Sequence, residues 1–124
     1  MRLLLDTHVV LWALGNVRMR PEAREAIEDT TTTVCVSAAS AWELAIKSAI
    51  GKLRIPDDLS DQLRAARFIP LSITVEHALE VRRLDPLHGD PFDRLLVAQA
   101  RAEDLTLVTR DTRLAAYGVP ILAA

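Results

Sequence analysis

Short apolar runs alternate along this chain with segments that carry helical spacing or helix start and stop signals, and no other feature restricts its fold as tightly. Leu3-Leu4-Leu5 is a continuous apolar run ended by Asp6-Thr7, which predicts a buried strand and then a helix cap, with a helix over 8–14. Gly15-Asn16 is a C-cap signal, and Pro21 with Glu22, Glu25 and Glu28 predicts a second helix. The β-branched run 31–37 reads as a second strand. From 37 to 50, Trp42, Ile46, Ala49, Ile50 and Leu53 fall on one helix face, and Gly51 stops that helix. Pro56-Asp57-Asp58-Leu59 starts a short helix, and Phe68-Ile69-Pro70-Leu71-Ser72 a third strand that Pro70 assigns to an edge or a strand end. Thr74 or Ser72 caps a helix to about residue 83, and 85–91 is a loop. Residues 92–103 then form a helix that is apolar nearly all round and therefore buried. A fourth strand over 105–109, a brief helix from Asp111 to Tyr117-Gly118 and a last strand over 119–122 complete the pattern.

Strand-helix alternation of this kind builds a parallel sheet covered on both faces, so the expected fold is a doubly wound, three-layer α/β/α sandwich around a mainly parallel sheet. At 124 residues, half of them hydrophobic, the chain fits one domain spanning 1–124, with enough apolar surface for a core. No apolar run approaches the ~18 residues of a membrane span, and Asp6 cuts short the N-terminal apolar stretch, so a cytoplasmic protein without a signal peptide is expected. Cys35 is the sole cysteine, which excludes an internal disulfide and multi-cysteine metal sites and makes it a small core residue. The net charge of −2 excludes nucleic-acid binding by bulk positive charge. Thirteen of the fifteen basic residues are arginine, however, and guanidinium groups in local patches can grip phosphate beside an acidic pocket.

In open parallel sheets, ligands bind beyond the carboxyl ends of the strands, which directs attention to the residues that follow each run. Asp6 follows the first strand, Glu43 lies in the helix after the second, Asp93 starts the buried helix and Asp111 follows the fourth strand. Should these four carboxylates converge, they suit a hard divalent cation such as Mg²⁺ or Mn²⁺, whereas no His-Cys set offers a zinc site. Without a cation, such a cluster would raise some carboxylate pKa values. Each acid also has a structural reading. Asp6 and Asp111 stand at N-cap positions; Glu43 has capping-box spacing from Ser40 and salt-bridge spacing to Lys47; Asp93 is a first-turn acid behind Asp90-Pro91.

Four segments carry a family resemblance: Leu4-Leu5-Asp6-Thr7-His8; Ser40-Ala41-Trp42-Glu43-Leu44-Ala45-Ile46-Lys47 with Gly51-Lys52-Leu53; Asp90-Pro91-Phe92-Asp93-Arg94-Leu95-Leu96-Val97-Ala98-Gln99-Ala100; and Leu107-Val108-Thr109-Arg110-Asp111. In this order they resemble the PIN-domain proteins of the VapC toxin type, essentially from end to end. The resemblance implies a metal-dependent endoribonuclease, the toxin of a toxin-antitoxin pair, with Asp6, Glu43, Asp93 and Asp111 as the acidic quartet that holds Mg²⁺ or Mn²⁺. It also implies products with a 5′-phosphate and a 3′-hydroxyl, an antitoxin that covers the site, and a homodimer. The dimer surface is expected near Trp12 and the 46–53 region. An arginine on the antitoxin could pair with two carboxylates and exclude the metal.

Asp90 competes with Asp93 for the third position; Asp93 is preferred because it directly precedes the buried helix, and Asp90 is well placed as an N-cap. His8, Lys47, Arg94, Thr109 and Arg110 are candidates for holding phosphate or orienting the acids, while His77 and His88 are not expected to be ligands. Two alternatives are an inert PIN fold kept as an interaction module and a haloacid-dehalogenase-like phosphatase. The second wants an Asp where His8 stands.

Overall fold

A computed structural model describes residues 1–15 and 17–124 of the chain. Asn16, half of the expected Gly15-Asn16 cap, lies outside the described residues; Gly15 itself closes the first helix, its N–H donating to the Leu11 carbonyl. The strands are β1 (Arg2–Leu5), β2 (Thr33–Ser37), β3 (Ile69–Leu71), β4 (Thr106–Thr109) and β5 (Ile121–Ala123). Between them run α1 (Thr7–Leu14), α2 (Pro21–Glu28), α3 (Ala38–Ala49), α4 (Leu59–Ala65), α5 (Val75–Glu80) and α6 (Pro91–Glu103), with 3-10 turns at Val81–Arg83 and Thr112–Tyr117. The sheet order is β3-β2-β1-β4-β5, and every strand pair among the described residues is parallel.

Alternation along the strands sorts the core into two layers. Leu3, Leu5, Val34, Val36 and Val108 pack beneath Val9, Val10, Ala23, Ile27 and Phe68. On the opposite face Leu4, Cys35 and Leu107 meet Ala39, Leu96, Val97, Ala100, Leu114 and Tyr117. Side chains pointing to both faces are apolar because helices cover both, which is why Leu3-Leu4-Leu5 is unbroken by polar residues. Full burial of each such leucine stabilises the fold by about 1.5–3 kcal/mol. The result is the expected three-layer α/β/α sandwich. Pro70 sits in β3, an edge strand, where its missing N–H leaves no gap in a central ladder.

Two helices show what their sequence readings left open. The stripe of Trp42, Ile46 and Ile50 on α3 faces outward, with exposures of 59%, 38% and 61%, whereas the buried face carries Ala39, Ser40, Glu43 and Leu44. Periodicity locates a stripe but does not say which stripe meets the sheet, and the small and polar side did. In α6 the expected burial holds over Leu96 to Ala100, but its centre includes the fully buried Gln99. Gln99 Oε1 accepts from the Ser37 hydroxyl at 2.5 Å, and its Nε2 donates to the Ser72 carbonyl at 3.3 Å. This amide thereby ties α6 to the ends of β2 and β3. The final differences are minor: the expected helix from Asp111 is a 3-10 turn, and that from Thr74 changes to 3-10 at Val81.

The topology creates one crevice. From β1 the chain moves outward through β2 to β3, then returns to place β4 on the other side of β1 and β5 beyond it. Connections leaving β1 and β4 therefore diverge, and the space between them opens at the carboxyl ends of Leu5 and Thr109.

Candidate active site

Each acid reaches that crevice on a different element. Asp6 leaves β1 as the N-cap of α1, its Oδ1 accepting from the Val9 N–H at 3.0 Å. Glu43 projects from the buried side of α3. Its Oε1 accepts from the Thr7 hydroxyl at 2.5 Å and its Oε2 from Lys47 Nζ at 2.7 Å. Asp93 lies in the first turn of α6, whose N-cap is Asp90; the Asp90 carboxylate accepts from the Phe92 and Asp93 N–H groups at 2.8 and 3.3 Å. Asp111 follows β4 and caps the 3-10 turn. Together Asp6, Glu43, Asp93 and Asp111 line one cleft of about 220 Å³, which Asp90 borders as well. A larger cavity of about 290 Å³ beside α4 is lined by Val36, Leu63, Phe68 and Leu71 with Arg64 as its lone titratable group, and none of the four acids reaches it.

The cleft is electrostatically uneven. Burial pushes the Asp6 carboxyl up; a hydrogen bond from the Thr109 side chain opposes the rise, and Glu43 adds a smaller upward push. Burial also raises Asp93, against the lowering effect of its hydrogen bond to His88, with Asp90 and Asp6 adding to the rise. Crowding of carboxylates thus contributes, but desolvation is the larger cause. Asp111 behaves oppositely: Arg113 binds it bidentately, Nε to Oδ1 and Nη2 to Oδ2, both at 2.8 Å, and holds it below the ordinary carboxylate range. Lys47 is pushed up by its hydrogen bond to Glu43.

The remaining candidates divide. His8, Lys47 and Arg110 line the cleft, with the Arg110 guanidinium 3.8 Å above the Trp12 ring. Thr109 is fully buried and accepts from the Asp111 N–H at 3.0 Å while its side chain hydrogen-bonds Asp6, so it sets the two acids in place. Arg94 is not in the cleft. Its guanidinium donates to the carbonyls of Val81, Leu84, Asp85 and His88 and to the Tyr117 hydroxyl, which braces the 84–90 loop from below. His77 is buried between Glu103 and the capping box of α5, away from the acids.

His88, set aside on sequence grounds, stands at the site: its Nε2 lies 2.8 Å from Asp93 Oδ2 and 3.9 Å from Asp111 Oδ2. Its loop position gave no periodic signal. The one available cue was its place five residues before Asp93. Thr7 and Arg113 were also missed, although each neighbours an acid in sequence.

An all-parallel α/β/α sheet with carboxylates gathered at its topological switch point describes a class of small acidic-cleft proteins. Within that class the chain belongs to the PIN-domain family, whose model, described as PIN domain, matches residues 3–120. It is 33% identical over 125 residues to ribonuclease VapC22 of Mycobacterium tuberculosis, covering 94% of this chain and 92% of the relative. Ribonuclease VapC16 of the same organism is 35% identical over 65 residues, 49% of this chain and 46% of the relative. Among solved structures, VapBC2 of Rickettsia felis bound to a promoter DNA fragment shares the fold, with a TM-score of 0.75, 17% identity and coverage of 99% and 98%. DNA-bound VapBC of Salmonella typhimurium does so with a TM-score of 0.71, 18% identity and the same coverage. Family membership removes the phosphatase alternative.

Proposed function

We propose that the chain is a divalent-metal-dependent endoribonuclease, the toxin of a toxin-antitoxin pair, with Asp6, Glu43, Asp93 and Asp111 as its metal-holding and catalytic acids. The observation that carries this reading is the convergence of four carboxylates, from β1, α3, α6 and β4, on one cleft at the switch point of the sheet. The ribonuclease names of the VapC22 and VapC16 relatives support the same activity.

The donor set fits a hard cation. Asp6 and Asp93 are held in a desolvated place where their charged forms are disfavoured, and a divalent ion relieves that penalty. Carboxylate oxygens lining one cleft suit Mg²⁺ or Mn²⁺. When bound there, such an ion lowers the pKa of a water and neutralises charge on a phosphoryl group.

The chain's own groups do the positioning. Thr7 and Lys47 hold both Glu43 oxygens, which keeps that carboxylate aimed. Thr109 sets the spacing of Asp6 and Asp111. Lys47 and Arg110 supply positive charge along the cleft, where an RNA backbone needs it despite the net acidity of the chain. On this reading 1–124 is one PIN domain acting in the cytoplasm. No helix among the described residues is long and apolar enough to cross a membrane.

Two partners complete the proposal. A cognate antitoxin covers the acidic cleft, an arginine on it pairing with the carboxylates in place of the metal. A second copy of the chain pairs through the outer stripe of α3, where Trp42, Ile46 and Ile50 are exposed.

The test is a titration of the metal-free chain with Mg²⁺ and Mn²⁺, followed by cleavage of RNA with and without the product of the neighbouring gene. Saturable binding and metal-dependent cleavage that the partner suppresses are expected. Binding without cleavage would instead mark an inert PIN module, and neither binding nor cleavage would end the metal reading.

A further inference from the structure

We propose that His88 is a metal ligand: its Nε2, with the Oδ2 atoms of Asp93 and Asp111, forms a mixed nitrogen-oxygen donor set that takes a first-row transition cation in preference to Mg²⁺. The inference rests on the cation-binding reading of the acidic cleft and specifies which cations that cleft selects.

The first support is distance. One donor atom each from His88, Asp93 and Asp111 lies within 4.8 Å of the other two. The His88 nitrogen is 2.8 Å from the Asp93 oxygen and 3.9 Å from the Asp111 oxygen. Ligands about 2.1 Å from one ion stand roughly 3.0 Å apart when adjacent and roughly 4.2 Å apart when opposite. Both His88 separations fall near that range, so a single ion can be reached by all three groups with sub-ångström movement. The side chains are only 16%, 24% and 24% exposed, which limits competition from bulk water.

The second support is rigidity, since a loop histidine selects a metal only if its ring is held. Arg94 donates to four carbonyls of the preceding segment, the His88 carbonyl among them, and to the Tyr117 hydroxyl. On the other side Asp90 Oδ1 accepts from the Phe92 and Asp93 N–H groups and fixes the helix start that presents Asp93 to His88. What must move is Arg113, whose Nη2 occupies Asp111 Oδ2; its side chain is 79% exposed and has open water to swing into.

Chemistry supplies the selectivity. Mg²⁺ prefers all-oxygen surroundings, whereas an imidazole nitrogen gains affinity along the series from Mn²⁺ to Cu²⁺. A purely acidic cleft discriminates among these ions less steeply. A ligating His88 presents the Nε2 lone pair and carries its ring proton on Nδ1.

The experiment compares the metal-free full chain with its His88→Gln and His88→Ala variants. Calorimetric titrations use Co²⁺ and Mg²⁺ separately, and the Co²⁺ form is searched by proton NMR for a paramagnetically shifted, exchangeable imidazole N–H. Gln places an amide N–H where Nε2 stands, so it preserves the hydrogen bond to Asp93 while removing the ligand. The expected result is a Co²⁺ affinity lower by about tenfold or more in both variants. Mg²⁺ affinity should change by less than about threefold, and the shifted N–H should be present in the wild type and absent from both variants. A wild-type Co²⁺ complex lacking that resonance overturns the inference whatever the variants do, as does an equal loss of both ions. In either case Mg²⁺ binding leaves the acidic-cleft reading standing. Failure of the wild type to bind either ion overturns both.

Discussion

Asp6 serves two purposes with one carboxylate, capping α1 through Val9 and facing the cleft, and its environment makes a testable demand. Burial raises its pKa above the ordinary value of about 3.8, so between that value and the raised one the folded chain binds more protons than the unfolded chain. Stability of the metal-free protein therefore falls as pH climbs through this window. Asp6→Asn removes that penalty and keeps a good cap. The variant should melt above the wild type at pH 7 in chelator, with the gap closing as the pH approaches 3.8; calorimetric scans across pH check both parts. The same substitution should abolish RNA cleavage. Arg113 carries the opposite logic, since its grip on Asp111 competes with a cation. Arg113→Ala should raise Mg²⁺ affinity by about two- to fivefold, the range an exposed ion pair allows. Titration calorimetry reads this directly, and an unchanged affinity would show that the pair does not obstruct the site.

Among the elements, α6 and the loop before it carry the most concentrated polar chemistry. Arg94 spreads its fork of donors over the backbone carbonyls of Val81, Leu84 and Asp85, and a lysine cannot reproduce that planar geometry. Arg94→Ala should cost about 2–3 kcal/mol in urea unfolding, and Arg94→Lys should recover little of it. Faster amide exchange confined to the 84–90 loop would accompany the loss. Gln99 is the helix's other fixed point. Replacing it with Ala leaves the Ser37 hydroxyl without its acceptor in a dry interior and should cost about 1–3 kcal/mol. The apolar pattern of α6 identified a buried helix but could not show that one buried position joins strands β2 and β3. That role depends on Ser37 and Ser72, which lie far away in sequence.

At the level of the whole molecule, α3 settles which surface is left for a partner. Glu43 faces the sheet's carboxyl end, which turns Trp42, Ile46 and Ile50 outward as a partly exposed apolar stripe, with Trp42 in edge-to-face contact with Phe92. Ile50→Asp, at a position 61% exposed, should leave the fold intact and convert a two-fold dimer to a monomer. Sedimentation velocity at micromolar concentration distinguishes the two, and a wild type that is already monomeric would remove the dimer from the proposal.

Local signals in the sequence determined the strands, most helix starts and the three-layer class. Leu3-Leu4-Leu5 can be buried on both faces only between two helical layers, and Asp6, Pro21, Thr74 and Asp90-Pro91 act on their own backbone within one turn. Strand alternation likewise pointed to residues after strand ends, where Asp6 and Asp111 stand. Tertiary structure alone decided which stripe of α3 meets the sheet, that Arg94 faces inward and that His88 meets Asp93 and Asp111. Those outcomes depend on the strand order and on how a loop is braced. Both are set by contacts between segments distant in sequence, for which residue spacing carries no signal.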